Sequence, residues 1–232
     1  MSDGYGQTIL ILGGGVGGLV AANELRTKLS KEHRIVLVDR ETTCVFSLLW
    51  LMTGDRTASR ISRPLARLQK KGIDLMRGEI EAIDPKQRQV TVQGQVLSAD
   101  YLVIALGADL ASDSVPGLSE AGHNFYSLPA AENFRDAFRD FSGGKLVVLT
   151  ATPAYKCPAS RYEAAMLVQA ACRERGIQTP KDSIRWTCAK RKRCSMSYRN
   201  RTLINCPLAL YLCRIRDRFP SGRAPFSELL GR

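Results

Sequence analysis

Two groups of residues in this chain have types and spacings suited to chemistry, one built on glycine and a carboxylate, the other on sulfur. The first is Gly13-x-Gly15-x-x-Gly18, inside Gly13-Gly-Gly-Val-Gly-Gly18, with Asp39 twenty-one residues beyond Gly18. Glycines so spaced let the backbone turn tightly and come close to a pyrophosphate, and an acid at that distance accepts a ribose hydroxyl. The second is Cys157, in Tyr155-Lys-Cys-Pro-Ala-Ser-Arg-Tyr-Glu163, where a second dinucleotide-binding fold would carry its own glycine turn. A turn that opens a helix aims backbone N–H groups and the positive dipole end at whatever lies in front, which suits a phosphate or a thiolate. Here the chain offers sulfur, with Lys156 beside it. The plainer alternative for Cys157 is a small apolar side chain in a core. Glu163, six residues on, reads either as a proton acceptor or as a solvated helix carboxylate.

The elements that must position these groups follow from hydrophobic periodicity. Thr8 to Leu12 is a short apolar run, Leu19 to Leu29 has helical spacing, and Arg34 to Val38 reads as a buried parallel strand ending at Asp39. That is a βαβ unit with the glycine turn at its first corner. Val90-Thr-Val, a Gln93-Gly94 turn and Tyr101-Leu-Val-Ile-Ala105 predict antiparallel strands leading back into the sheet. Lys145 to Thr150 is again strand-like and Ser160 to Arg175 helical, so a second βα unit begins there. The expected division is a first domain over 1–110, a connection over 111–142, the start of a second domain over 143–180, and a basic segment over 181–232.

Composition narrows the classes. The 232 residues are 44% hydrophobic, enough for a packed core. The net charge of +12 is uneven: residues 1–180 hold 21 Lys and Arg against 19 Asp and Glu, and residues 181–232 hold 13 against 3. A basic arm and a shifted reading frame both fit that change, and the absence of periodicity after 180 favours the second. Lys190-Arg-Lys-Arg has no interleaved aromatics, so no nucleic-acid partner is expected. Seven cysteines and two histidines show no zinc-ligand spacing, and neither a metal nor structural disulfides are expected. Without a basic-then-apolar leader or an eighteen-residue apolar run, a cytoplasmic location is expected.

A chain that opens with this βαβ unit, returns through Tyr101-Leu-Val-Ile-Ala-Leu-Gly107 and then starts a second βα unit resembles the flavoproteins built from two dinucleotide-binding domains. Over about residues 8 to 178 the resemblance narrows, at Ser47-Leu-Leu-Trp-Leu-Met-Thr-Gly-Asp-Arg56 and at Tyr155 to Glu163. There the chain is similar to sulfide:quinone oxidoreductases and to the flavin subunit of flavocytochrome c sulfide dehydrogenase. The resemblance implies an α/β architecture: a Rossmann-like FAD-binding domain followed by an incomplete second dinucleotide-type domain.

The fingerprint alone leaves FAD and NAD open; the resemblance implies FAD, held by Gly13, Gly14, Gly15, Gly18, Asp39, Arg40, Ala105 and Gly107. It implies sulfide and quinone as substrates, Cys157 as one of two redox cysteines, and Glu163 beside it. Cys44 corresponds in place to a cysteine that some relatives bond to their flavin, and a packed cysteine is the competing reading. NAD is disfavoured, because Thr150-Ala-Thr-Pro-Ala puts a proline where a pyrophosphate would need close backbone approach. Peripheral attachment to the inner face of the cytoplasmic membrane is implied for a complete member. The alternatives are an inactive FAD-binding fragment and an NADH:quinone-type flavoprotein of the same architecture.

Overall fold

The computed structural model describes residues 6–114, 116–150, 157 and 159–177, with side chains except at 114, 121, 145 and 149, and the backbone of 184–188 and 208–213. It divides into two compact units, Met1–Phe46 with Ile61–Ala108, and Ser47–Arg60 with Asp109–Arg232.

In the first unit, β1 (Thr8–Leu12) runs into α1 (Val16–Lys28), which returns to β2 (Arg34–Asp39). A short antiparallel pair follows, β3 (Thr43–Val45) with β4 (Ser62–Pro64), then β5 (Asp74–Arg77). A three-stranded antiparallel sheet comes next: β6 (Ile80–Asp84), β7 (Gln89–Val92) and β8 (Gln95–Ser98). The last strand, β9 (Tyr101–Ile104), lies parallel to β1, giving a four-stranded sheet in the order β5-β2-β1-β9.

The unbroken apolar runs of β1 and β2 make sense because both faces of this sheet are covered. Side chains alternate across a strand. Ile9, Ile11, Ile35 and Leu37 bury against Ala22 of α1 together with Leu68 and Ile73. Leu10, Leu12, Val36 and Val38 bury on the other face with Val90 and Val92 of β7. The Gln93-Gly94 turn between β7 and β8 has both residues at positive φ, 49° and 73°, the pattern of a two-residue type I′ hairpin. The α1–β2 corner is held by Arg26, whose guanidinium donates to the carbonyls of His33 (2.9 Å), Leu29 (3.1 Å) and Ser30.

The second unit contains two short helices, α2 (Leu48–Met52) and α3 (Ala58–Ile61, its last residue belonging to the first unit), then α4 (Leu118–Ala121) and α5 (Leu128–Arg139). They lead to β10 (Lys145–Thr150) and α6 (Ser160–Glu174). Phe134 and Phe138 of α5, Leu146 and Val148 of β10, and Ala165, Val168 and Cys172 of α6 form one core with Met52. Beyond 180, the described backbone holds β11 (Ile184–Cys188), parallel to β10, and β12 (Leu208–Cys213), antiparallel to it. Arg175 ties the ends of α5 and α6 together. Its guanidinium donates to the carbonyls of Phe138 (2.7 Å), Arg139 (2.8 Å) and Phe141 (3.1 Å) and lies over the Phe138 ring.

Candidate functional site

The glycine turn sits at the carboxyl end of β1, between β2 on one side and β9 on the other. This is the switch point of an open parallel sheet, where ligands bind in α/β folds. The chain can make the turn only with glycine at two places. Gly13 has φ +100°, and a β-carbon there would stand 2.5 Å from the carbonyl oxygen of Ala105. A β-carbon at Gly18 would overlap the Gly13 carbonyl oxygen, so Gly18 lets α1 press against the turn. Backbone bonds fix the arrangement: the Gly13 N–H donates to Val38 (2.8 Å) and the Ala105 N–H to Leu12 (2.8 Å).

Gly15, the residue preceding α1, is exposed and has open space in front of it. No side chain caps the helix, and its first turn contains no acid. Unpaired N–H groups and the positive dipole end therefore face that space, which is the requirement for a phosphate.

Asp39, at the end of β2, closes the other side. One of its oxygens accepts the Gly14 N–H and the other accepts the Glu41 N–H (2.7 Å). Both bonds fix the carboxylate, and each oxygen keeps a lone pair for a hydroxyl. Arg40 turns away to Glu79 (3.3 Å), while its carbonyl accepts from Arg77 Nε (3.2 Å). Gly107, with φ +71°, is exposed just beyond Ala105. The structure thus gathers Gly13, Gly14, Gly15, Gly18, Asp39 and Ala105 at one end of one sheet, with Arg40 and Gly107 flanking. Open space at Gly15, an uncapped helix and a fixed carboxylate fit a dinucleotide's pyrophosphate and ribose.

Cys44 lies in β3, not in an open loop, and is 6% exposed. It borders a cavity of about 360 Å³ lined also by Leu19, Leu65, Leu68 and the basic residues Arg63, Arg67 and Lys71. Burial, and then the negative charge of Asp39, push its thiol up from 9.0; the Val45 N–H acts in the opposite direction. At neutral pH it is a protonated thiol, with the character of a packed cysteine and little nucleophilicity.

In the second unit, Cys157 is exposed, whereas the other described free cysteines, Cys44 and Cys172, are buried. Its φ of 55° is left-handed, an uncommon state for a residue with a side chain. It stands three residues before α6, so it precedes the first turn, while Glu163 is in that turn and exposed. Cys172 is twelve residues beyond Ser160 on the same helix, about 18 Å along its axis, and cannot be the disulfide partner of Cys157 in this fold. The neighbours Lys156 and Pro158, the segment with Pro153, and the side chains of Cys188, Cys194, Cys206 and Cys213 lie outside the described residues.

Two residues around Cys157 escaped sequence reasoning. Ser160, 5% exposed, directs both its backbone N–H (3.2 Å) and its hydroxyl (2.9 Å) at the Cys157 carbonyl. Tyr126, 34 positions earlier, places its hydroxyl 2.7 Å from Ser160 Oγ. Ser160 lies within the Tyr155–Glu163 segment but was given no role there, and Tyr126 belongs to no motif. Among the described residues no group of acids, histidines or cysteines could hold a metal, and no helix is long and apolar enough to cross a membrane.

Residues 7–152 match the family described as pyridine nucleotide-disulphide oxidoreductase. The sulfide-quinone reductase of Aquifex aeolicus is 32% identical over 178 residues, covering 73% of this chain and 40% of that protein. A demethylphylloquinone reductase of Synechocystis is 32% identical over 142 residues, covering 56% and 35%. Among solved structures, the sulfide:quinone oxidoreductase from Aquifex aeolicus superposes with a TM-score of 0.68 at 29% identity, covering 77% of this chain and 42% of that one. The chain therefore spans about 40% of the length of the sulfide-quinone reductase it matches.

Proposed function

The chain belongs to the pyridine nucleotide-disulphide oxidoreductase family, and on that premise we propose that it is an FAD-dependent oxidoreductase of the sulfide:quinone type. The observation that carries the sulfide reading is Cys157: an exposed thiol at the opening of α6, held in a left-handed conformation.

FAD is the family's cofactor, and when bound it supplies two-electron acceptance from sulfur and delivery to an acceptor. The residues that would hold it are those of the first unit's glycine turn. The N–H groups at the start of α1 bind the pyrophosphate in front of Gly15, and Asp39 takes a ribose hydroxyl. Gly13, Gly14, Gly18 and Ala105 keep the backbone close, with Arg40 and Gly107 at the margins. Cys44, protonated and buried, packs instead of reacting.

In a disulfide with a second cysteine, the Cys157 sulfur is attacked by hydrosulfide; the new S–S bond leaves a persulfide on Cys157, and the old bond's electron pair leaves on the partner thiolate. Glu163, exposed in the first turn of α6, is suited to receive the proton that hydrosulfide loses. Quinone is the proposed acceptor, and attachment is peripheral on the cytoplasmic face of a membrane.

A second reading is a flavin-dependent quinone reductase fed by a nicotinamide; the similarity to a demethylphylloquinone reductase supports its quinone side. Anaerobic titration of the flavin-loaded chain separates the two. Sulfide should bleach the flavin, a short-chain quinone should restore its colour, and Cys157→Ser should abolish bleaching by sulfide. Bleaching by NADH and not by sulfide, or sulfide bleaching that survives Cys157→Ser, would establish the second reading or refute the role of Cys157.

A further inference from the structure

Cys157, at φ 55°, occupies a backbone state that is unfavourable for a non-glycine residue, so something must over-determine it. Position 157 is exposed, and solvent-facing packing cannot supply that constraint. The hydrogen bonds just behind it can. The Cys157 carbonyl receives two bonds from one residue, the N–H and the hydroxyl of Ser160. Ser160 is buried at the first position of α6, where its backbone is fixed by the helix. Because Ser160 has a single hydroxyl proton and directs it at Cys157, the Tyr126 hydroxyl is the donor to Ser160 Oγ at 2.7 Å. The result is a relay of three groups, Tyr126 O–H to Ser160 Oγ–H to Cys157 C=O, whose members polarise one another in a partly buried setting.

Each end of the relay is itself anchored. Tyr126 is held by stacking on Phe125 at 5.0 Å between ring centroids and by its own N–H, which donates to Asn124 Oδ1 (3.0 Å). Phe125 belongs to the core of the second unit. On the α6 side, Arg161 Nη1 donates to Thr150 Oγ1 (3.2 Å), joining the first turn of the helix to the buried end of β10. The carbonyl of Cys157 is thereby pinned inward from two elements far apart in sequence, which leaves the thiol on the solvent side in one backbone orientation.

We propose that Ser160 and Tyr126 are positioning residues for Cys157: their hydroxyl relay holds the left-handed backbone that presents the thiol to its reaction partners. The inference rests on Cys157 being the redox cysteine, but the relay can be tested without that role. Both act through the Cys157 carbonyl and not on its sulfur. A thiol displaced by about an ångström reacts far more slowly while remaining present and accessible.

The test uses the full chain with 13C-labelled cysteine, the Cys157 signals being those lost in Cys157→Ser. In the parent protein, the Cys157 Cα and Cβ shifts should have left-handed values. Ser160→Ala should move them toward averaged, random-coil values, and Tyr126→Phe should move them in the same direction by less. The double variant should shift no further than Ser160→Ala alone, because the two hydroxyls belong to one relay. Sulfide-driven bleaching should slow about tenfold or more in Ser160→Ala at unchanged flavin content.

Left-handed shifts that persist in both single variants would overturn the proposal, as would additive effects of the two substitutions. If Ser160→Ala does not fold, Tyr126→Phe, which loses only a hydroxyl, carries the same comparison. If bleaching by sulfide does not require Cys157 while the shifts respond as stated, the positioning relay stands and the redox role of Cys157 is what fails.

Discussion

Gly15 and Gly18 are three residues apart and have opposite surroundings, which gives a direct way to separate binding from folding. A methyl group at Gly18 has nowhere to go but the Gly13 carbonyl, so Gly18→Ala should destabilise the first unit by about 1–3 kcal/mol and release bound flavin with it. Gly15 has a φ of −73° and open space before it, so Gly15→Ala should cost at most about 1 kcal/mol, as an altered helix cap. It should nevertheless weaken flavin retention, because the added carbon would enter the open space in which the pyrophosphate is proposed to bind. Melting curves and flavin absorbance on both variants are the check; equal stability loss in the two would contradict these roles. The buried thiols make a separate expectation. Cys44 and Cys172 are both raised above 9.0, each chiefly by burial, with the Asp39 charge adding at Cys44 and Arg175 opposing at Cys172. The folded state then holds those protons more tightly than the unfolded state. Their contribution is intact below about pH 9 and is lost as pH rises through the folded values. Cys44→Ala and Cys172→Ala should each flatten the fall in stability above pH 9, measured by denaturant midpoints. At this scale the sequence was most legible where chemistry imposes spacing, as with the glycines and Asp39. It was least legible for Cys44, whose burial comes from β3 pairing with β4 across the sixteen intervening residues 46–61, a pairing that no local pattern announces.

Between elements, the structure uses arginine to finish helices whose carbonyls would otherwise lack partners. Arg175 closes the end of α5 from the end of α6, and Arg26 closes α1 onto the strand that follows it. Arg175→Ala should cost the second unit about 2 kcal/mol, since it removes charge-assisted bonds to three carbonyls and the cover of the Phe138 ring. Arg175→Lys should recover only part of that, a single ammonium being unable to span three acceptors. Urea unfolding of the two variants against the parent chain tests the ranking, and a lysine variant as weak as alanine or weaker would refute it. Most of the elements themselves could be read in advance. Thr8 to Leu12 and Arg34 to Val38 are strands, the Gln93-Gly94 corner is a hairpin, and Ser160 does start a helix. What could not be read was the long-range bonding that locks them, because a carbonyl acceptor leaves no mark on sequence. Tyr126 and Ser160 are the same case: two ordinary hydroxyl residues that become a unit only when α5 and α6 share a core.

For the molecule as a whole, the sequence pattern placed the parallel sheet and the start of a second βα unit, and charge asymmetry marked residue 180 as a change of character. Pairing of β10 with β11 and β12 had no comparable signal, because the basic clusters after 180 carry no sustained period. The surface that results has a consequence. Among the described strands β9 pairs only with β1, so its other edge offers unused N–H and C=O groups along Tyr101–Ile104. That edge carries Tyr101, 53% exposed, and Ile104, 52% exposed, with Leu106 just beyond. An uncovered edge rich in large apolar side chains is a template for pairing with another chain. Natural edges are blunted by charge, most often lysine, and none of the four residues of β9 is charged. The isolated chain should therefore associate as its concentration rises, and Tyr101→Lys should suppress that association with little change in the folding of the sheet, because its side chain is more than half in solvent. Light scattering across a concentration series, alongside melting curves, decides it. Association that is unchanged in Tyr101→Lys would exclude β9 as its source and redirect attention to the exposed Val16 and Val20 on α1.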